Sequence, residues 1–165
     1  MSKLMLMCGI PGSGKTTAAK QLIGDNIKYI SRDEIRFSII KDGDEYFSKE
    51  TEVFNEYINQ INKALKENYD VIADATHLNK GSRAKVLNRL TIKPDTIIVT
   101  MPCVSLETAI ERNNKRAGLA KVPENQIRRM FHQIELPTYE EGIDYFFKYI
   151  DGSIAVIDLK EELWQ

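Results

Sequence analysis

The sequence predicts an α/β fold in which a parallel sheet is flanked by helices on both faces. Two observations lead there. Strand-like and helix-like patterns alternate along the chain from its start. The first apolar run, residues 4–8, is short and continuous, as a strand buried on both faces requires, and a glycine-rich turn and a helix-like segment follow it at once.

Each element has its own warrant. Residues 15–23 read as the first helix and 27–30 as a brief strand. Ser31 followed by Glu34 has capping-box spacing, so a second helix starts immediately and carries Asp33 and Arg36. Beyond an acidic loop near residues 42–44, a long amphipathic helix covers about 49–67, because Phe54, Tyr57, Ile58, Ile61, Ala64 and Leu65 recur at helical spacing. Residues 70–74 form a strand, 80–90 a helix and 96–101 a strand. Ser105 caps a helix that reaches Arg116. Pro123 suits the first turn of the next helix, whose apolar stripe is Ile127, Met130, Phe131 and Ile134. Residues 145–150 and 154–159 are closing strands separated by an Asp151-Gly152 turn.

At 165 residues the chain has the size of one domain, expected to span 1–165 with no internal repeat or linker. Its 42% hydrophobic, 28% charged and 8% aromatic residues exclude a disordered or fibrous protein. No segment has the apolar length of a membrane span, and the start MSKLMLMCGIPGSG reads as an interior strand and not as a signal peptide. A net charge of −1 argues against coating long nucleic-acid tracts but is compatible with gripping a single end. Cys8 and Cys103 stand beside apolar runs outside any zinc spacing, so both are expected as buried thiols in a reducing cytoplasm, with no structural metal.

The chemistry concentrates in Gly9-Ile10-Pro11-Gly12-Ser13-Gly14-Lys15-Thr16, two glycines separated by four residues and followed by Lys and Thr, between a strand and a helix. Gly9, Gly12 and Gly14 let the backbone curl so that its N–H groups face phosphate, and the helix behind them favours negative charge. Lys15 is expected to reach the β- and γ-phosphates of a nucleotide and Thr16 to ligate Mg²⁺. Asp74, ending the run Val71-Ile72-Ala73, is either an acidic residue near the metal or a turn residue. A guanine-reading Asn-Lys-x-Asp segment is missing, since Asn79-Lys80-Gly81-Ser82 lacks the final carboxylate, so a signalling GTPase is not expected.

Asp33 and Arg36, three apart on one helix, share a face toward the mouth of the sheet. They read either as an acceptor-binding pair, with Asp33 orienting a hydroxyl, or as a surface ion pair. Arg112 and Arg116 read either as phosphate ligands on one helix face or as solvated charges. His77 reads as a structural hydrogen-bonding residue outside the catalytic set.

Together these segments resemble the kinase domain of the 5′-hydroxyl polynucleotide kinase family of P-loop phosphotransferases. The matching residues are the loop at 9–17, Ser31-Arg32-Asp33-Glu34-Ile35-Arg36, Asp74-Ala75-Thr76-His77-Leu78-Asn79, Arg112-Asn113-Asn114-Lys115-Arg116 and Val122-Pro123, up to about Ile150. The resemblance implies a P-loop kinase fold with a small helical lid near 112–123, and transfer of phosphate from ATP to the 5′-OH end of DNA or RNA. It implies ATP bound by Gly9, Gly12, Ser13, Gly14, Lys15, Thr16, Thr17, Arg112 and Arg116, Mg²⁺ by Thr16 and Asp74, and the acceptor by Asp33, Arg36 and Thr76. Lys15, Asp33 and Arg116 are the implied catalytic residues, with Asp33 the general base and Arg36 holding the acceptor's phosphate. Some family members carry an acidic residue directly before the Thr matching Thr76, where this chain has Ala75, so Asp74 is either metal-linked or acceptor-linked. Phosphatase or ligase domains of the family have no room here, and a stand-alone kinase is expected. A small-molecule P-loop kinase and a non-catalytic nucleotide switch are the competing readings.

Overall fold

The computed structural model describes residues 1–162, so the last three positions of the expected 1–165 domain lie outside the described residues. Six strands form one sheet: β1 (Lys3–Met7), β2 (Ile27–Ser31), β3 (Asp70–Asp74), β4 (Thr96–Pro102), β5 (Tyr145–Ile150) and β6 (Ser153–Asp158), in the spatial order β2-β3-β1-β4-β5-β6. The helices are α1 (Lys15–Gln21), α2 (Arg32–Ile39), α3 (Glu50–Lys66), α4 (Lys80–Leu87), α5 (Leu106–Asn114), α6 (Glu124–His132) and the single turn α7 (Leu159–Glu162).

Alternation along the strands explains the two covered faces. Leu4, Leu6 and Cys8, with Val71 and Ala73 of β3, point to the face packed by Ile35 of α2, Val53, Tyr57 and Ile61 of α3, and Val86 of α4. Met7 and Ile72 point to the other face, against Ala18 and Ala19 of α1. Each large aliphatic side chain buried this way contributes about 1.5–3 kcal/mol. A third, smaller core joins Ile10 of the glycine loop to Leu78, Ala109, Ile110 and Ile127, and so seats α5 and α6 over that loop.

The expected parallel sheet ends in one antiparallel edge strand, in keeping with the two-residue turn that the sequence places between the closing strands. Strands β1 to β5 are parallel, but β6 runs antiparallel to β5. The Asp151-Gly152 turn, with φ of 46° and 80°, forces this, because two residues can reverse a chain but cannot cross back over a sheet. Helices α1 and α4 stop at Gln21 and Leu87, short of the expected Ile23 and Leu90. Pro123 is the residue before α6 and not within its first turn, and Ile134 falls beyond its end. Ser31 accepts from the Glu34 N–H at 3.2 Å, which is half of the expected capping box.

One buried charge ties α4 to the loop after β3 and to the segment after α6. Arg83 of α4 is fully buried, pairs with Glu141 at 2.8 and 3.1 Å, and donates to the carbonyls of His77 and Glu135. Every polar atom of that guanidinium is matched, as burial of a charge requires. No helix of the described residues is long and apolar enough to cross a membrane.

Candidate active site

The glycine loop leaves β1 and enters α1, and its shape is set by backbone and not by side chains. Gly12 has φ of 83°, and a Cβ there would lie 2.1 Å from the Ala109 carbonyl oxygen. Gly14, at φ 90°, precedes α1 directly. Only glycine meets both demands, the positive φ and the close passage of α5. Ser13 is buried, and its hydroxyl has no hydrogen-bond partner among the described residues.

Lys15 opens α1 beside three charged groups. Burial lowers its pKa, the carboxylates of Asp74 and Asp33 push it back up, and Arg116 lowers it again. The four side chains therefore sense one another across a single space. The Thr16 hydroxyl donates to Asp74 Oδ2 at 2.7 Å, and the Tyr29 hydroxyl donates to the same oxygen at 2.6 Å. Asp74 is only 4% exposed, and these two donors fix its carboxylate at the end of β3. Burial and the adjacent Asp74 charge raise the Tyr29 pKa, which keeps its hydroxyl a donor.

The Thr16–Asp74 oxygen pair fits a bound Mg²⁺. Among the described residues no three His, Cys, Asp or Glu side chains cluster as a metal cage. Mg²⁺ held beside a nucleotide needs no cage, since one or two protein oxygens suffice and phosphates and water supply the rest. When bound there, Mg²⁺ neutralises charge on the β- and γ-phosphate oxygens.

Two clefts flank this centre. One, of about 440 Å³, is lined by Gly12, Gly14, Thr17, Arg112, Arg116 and Tyr149, with the Asp151-Gly152 turn. The other, of about 260 Å³, is lined by Lys15, Asp33, Arg36, Glu50, Asp74, Thr76 and Arg116, with Tyr46 and Phe47 at its side. Arg116 borders both. Thr76 is held at the floor, its carbonyl accepting from the Gly9 N–H at 3.0 Å.

The second cleft contains a network that the sequence reading only half contains. Asp33 and Arg36 do share a face and form an ion pair. Arg36 was expected as an open phosphate ligand, yet it is 5% exposed and donates through Nε to Glu50 at 2.6 Å and through Nη1 to Asp33 and to the Tyr46 hydroxyl. Burial demands these partners, because a desolvated guanidinium left unpaired is strongly destabilising. Its Nη2 makes no hydrogen bond among the described residues. The Tyr46 hydroxyl donates to Asp33 Oδ1 at 3.0 Å, so Asp33 Oδ2 stays available in a side chain 58% exposed. Desolvation and the Asp33 charge push the Tyr46 pKa up to about 12.

The lid differs from expectation as well. Helix α5 ends at Asn114, so Arg112 is helical while Arg116 lies in the loop that follows. Two side chains four residues apart thus do not share a helix face. Asn113 sets the loop's path: it is fully buried, donates to the Val122 carbonyl at 2.7 Å and accepts from the Val122 N–H at 3.0 Å. Arg112 and Arg116 are exposed, and neither forms an ion pair among the described residues. Cys103 is half-buried, not buried as expected, whereas burial pushes the Cys8 thiol up to about 11.

His77 is structural, at φ 40° and buried. Its Nδ1–H donates to the Met7 carbonyl at 2.7 Å, which leaves Nε2 to accept from the Tyr57 hydroxyl at 3.2 Å. Burial lowers its pKa to about 4, so the ring is neutral.

Glu50, Tyr46, Tyr29 and Asn113 were not singled out in the sequence. Asn113 had a signal, a polar side chain four residues along the buried face from Ala109. Glu50 had none, since it meets Arg36 across a loop of chain that no periodicity describes.

A glycine cradle ending in Lys-Thr, an acidic strand end behind it and two clefts joined by an arginine define a P-loop, kinase-like phosphotransferase with a nucleotide-binding cradle. Residues 4–137 match a family described as an AAA domain, and the chain belongs to that family. It is 27% identical, over 93% of its length, to a putative bifunctional polynucleotide kinase/RNA ligase of Autographa californica nuclear polyhedrosis virus. The match takes in 25% of that relative, so this chain spans about a quarter of the viral protein. Among solved structures, a chain of the Pnkp1/Rnl/Hen1 RNA repair complex superposes at a TM-score of 0.70 and 22% identity, over 96% of this chain and 48% of that one. A sugar kinase from Janibacter sp. superposes at 0.65 and 15% identity, over 91% of this chain and 86% of that one. Such identities establish the P-loop kinase fold.

Proposed function

We propose that this chain transfers the γ-phosphate of ATP, with Mg²⁺ bound at Thr16 and Asp74, to the 5′-hydroxyl end of DNA or RNA. The observation that carries the reading is the meeting of two clefts at Arg116, with Lys15, Asp33 and Arg36 lining the one on the acceptor side. Gly9, Gly12, Ser13, Gly14 and Thr17 cradle the donor phosphates, and Arg112 faces the donor cleft. Asp33 Oδ2 orients the acceptor hydroxyl. As the acceptor's hydroxyl oxygen bonds to the γ-phosphorus and the bond from that phosphorus to the β,γ-bridging oxygen breaks, ADP leaves and the hydroxyl proton passes late to Asp33. Lys15 and Arg116 stabilise the charge that grows on the transferring group. Arg36 Nη2 is the donor left for the acceptor's adjoining phosphate, and Thr76 lines the floor beneath it.

The viral relative's description supports a nucleic-acid acceptor, and we place the activity in nucleic-acid repair in the cytoplasm. One observation favours a metabolite acceptor instead: Arg36 already satisfies most of its donors internally, so it needs no phosphate from substrate. Labelled ATP incubated with a 5′-OH oligonucleotide and a panel of sugars and nucleosides separates the readings. The polynucleotide reading expects label on the oligonucleotide. Label on sugars alone overturns it.

A further inference from the structure

The acceptor cleft has an aromatic wall that the phosphotransfer roles leave unused. The loop between α2 and α3 brings Tyr46 and Phe47 to the cleft that contains Asp33 and Arg36. Phe47 is 53% exposed, a large apolar ring left in water beside a cluster of charges. A solitary exposed aromatic is ordinary, but this one is held in place. Its ring lies 4.6 Å from that of Tyr46 at 83°, an edge-to-face contact. Tyr46 in turn is fixed by hydrogen bonds to Arg36 and Asp33, and the Arg36 guanidinium stacks 4.5 Å from its ring and 5.6 Å from that of Phe47. Phe37, also exposed, makes a second edge-to-face contact with Tyr46 at 6.1 Å. The orientation of the Phe47 ring is thereby coupled to the residues that face the hydroxyl and the phosphate.

We infer that Phe47 is the stacking platform for the nucleobase of the acceptor's terminal nucleotide, an inference that rests on the polynucleotide reading above. A nucleotide with its 5′-hydroxyl at Asp33 and its adjoining phosphate at Arg36 projects a flat, apolar base to the side of the sugar. The cleft offers two kinds of wall there: small aliphatic surface from Ala120, Val122 and Met130, and the ring of Phe47. A ring stacks on any base through its π-face, so this platform discriminates base from no base and not one base from another. That suits an enzyme acting on ends of any sequence, and the cleft needs no hydrogen-bonding group dedicated to base edges.

The test compares two 5′-OH oligonucleotides that differ only in the terminal residue, one bearing its base and one with an abasic tetrahydrofuran sugar. The full chain is assayed as wild type, Phe47→Ala and Phe47→Trp. Loss of a base–aromatic stack corresponds to about 5- to 150-fold, so wild type should prefer the base-bearing acceptor in kcat/KM by about that factor. The preference should collapse toward unity in Phe47→Ala and persist in Phe47→Trp, with the KM for ATP reporting an intact donor cleft. A preference that survives Phe47→Ala overturns the inference, as does a wild type indifferent to the missing base; either result leaves the polynucleotide reading standing. Failure of wild type to label any oligonucleotide overturns both. Activity on sugars that falls in Phe47→Ala places a sugar ring, and not a base, on this wall, which also refutes the proposal.

Discussion

The donor cradle and the acceptor cleft lie side by side and are built by opposite means. The cradle is nine consecutive residues shaped by their backbone, with Gly12 and Gly14 at positive φ and no room for a Cβ at Gly12. The acceptor cleft is assembled from side chains of α2, α3, the loop between them and the lid, held by the Glu50–Arg36–Asp33–Tyr46 network. A backbone site is rigid and general, fit for the phosphate chain of a donor that stays the same whatever the acceptor. A side-chain site can be re-specified one residue at a time.

Breaking the donor side should therefore cost every acceptor equally. Lys15→Ala removes the cation placed among Asp74, Asp33 and Arg116, and transfer should fall on the order of 100-fold or more with any acceptor, measured by release of ADP. Next in size is Gly12→Ala, whose Cβ would enter the Ala109 carbonyl at 2.1 Å with φ at 83°. Strain and overpacking together should cost roughly 3 kcal/mol, seen as a thermal midpoint lowered by roughly 6–12 °C. An unchanged midpoint means the loop relaxes away from α5, and the rigidity assigned to the cradle is wrong.

The same contrast explains what the sequence disclosed. The glycine spacing, Lys15 and Thr16 are legible because a local backbone shape demands particular residues at fixed offsets. The Asp33–Arg36 pair is legible because helical periodicity puts positions three apart together. Glu50 lies one helix farther on, and no local rule links it to Arg36. Arg116 was misplaced onto α5 because the Asn113–Val122 hydrogen bonds that end the helix's influence join residues nine apart through a loop. The antiparallel β6 was visible in its two-residue turn, although alternation alone favoured a parallel sheet throughout.

Smaller effects sharpen the boundary between the regions. Asn113→Ala leaves the Val122 N–H and carbonyl without their partners and should cost roughly 1–3 kcal/mol, with hydrogen exchange at the Val122 amide accelerating first. Exchange that accelerates no more there than across the sheet would show the lid to be an integral part of the core. His77 joins β1 to α3 as a neutral ring, its pKa lowered to about 4 by burial. The unfolded chain binds the proton first, so stability is full above the ordinary histidine range and declines as pH falls toward the folded value. About 1 kcal/mol should be gone by about pH 6. His77→Gln should flatten that part of the pH profile of thermal midpoints, and an undiminished slope would assign it to other groups.

The central claim, that a nucleic-acid end is the acceptor and Arg36 its phosphate ligand, is tested most directly by one substrate pair. Wild type and Arg36→Ala are compared with a nucleoside 3′-phosphate and the bare nucleoside, following kcat/KM for each at saturating ATP. A charge-assisted phosphate contact through Nη2 predicts that wild type prefers the 3′-phosphate by roughly 10- to 150-fold and that the variant loses the preference. Equal use of both acceptors by wild type, or a preference untouched in Arg36→Ala, contradicts the account and assigns Arg36 to its internal partners alone.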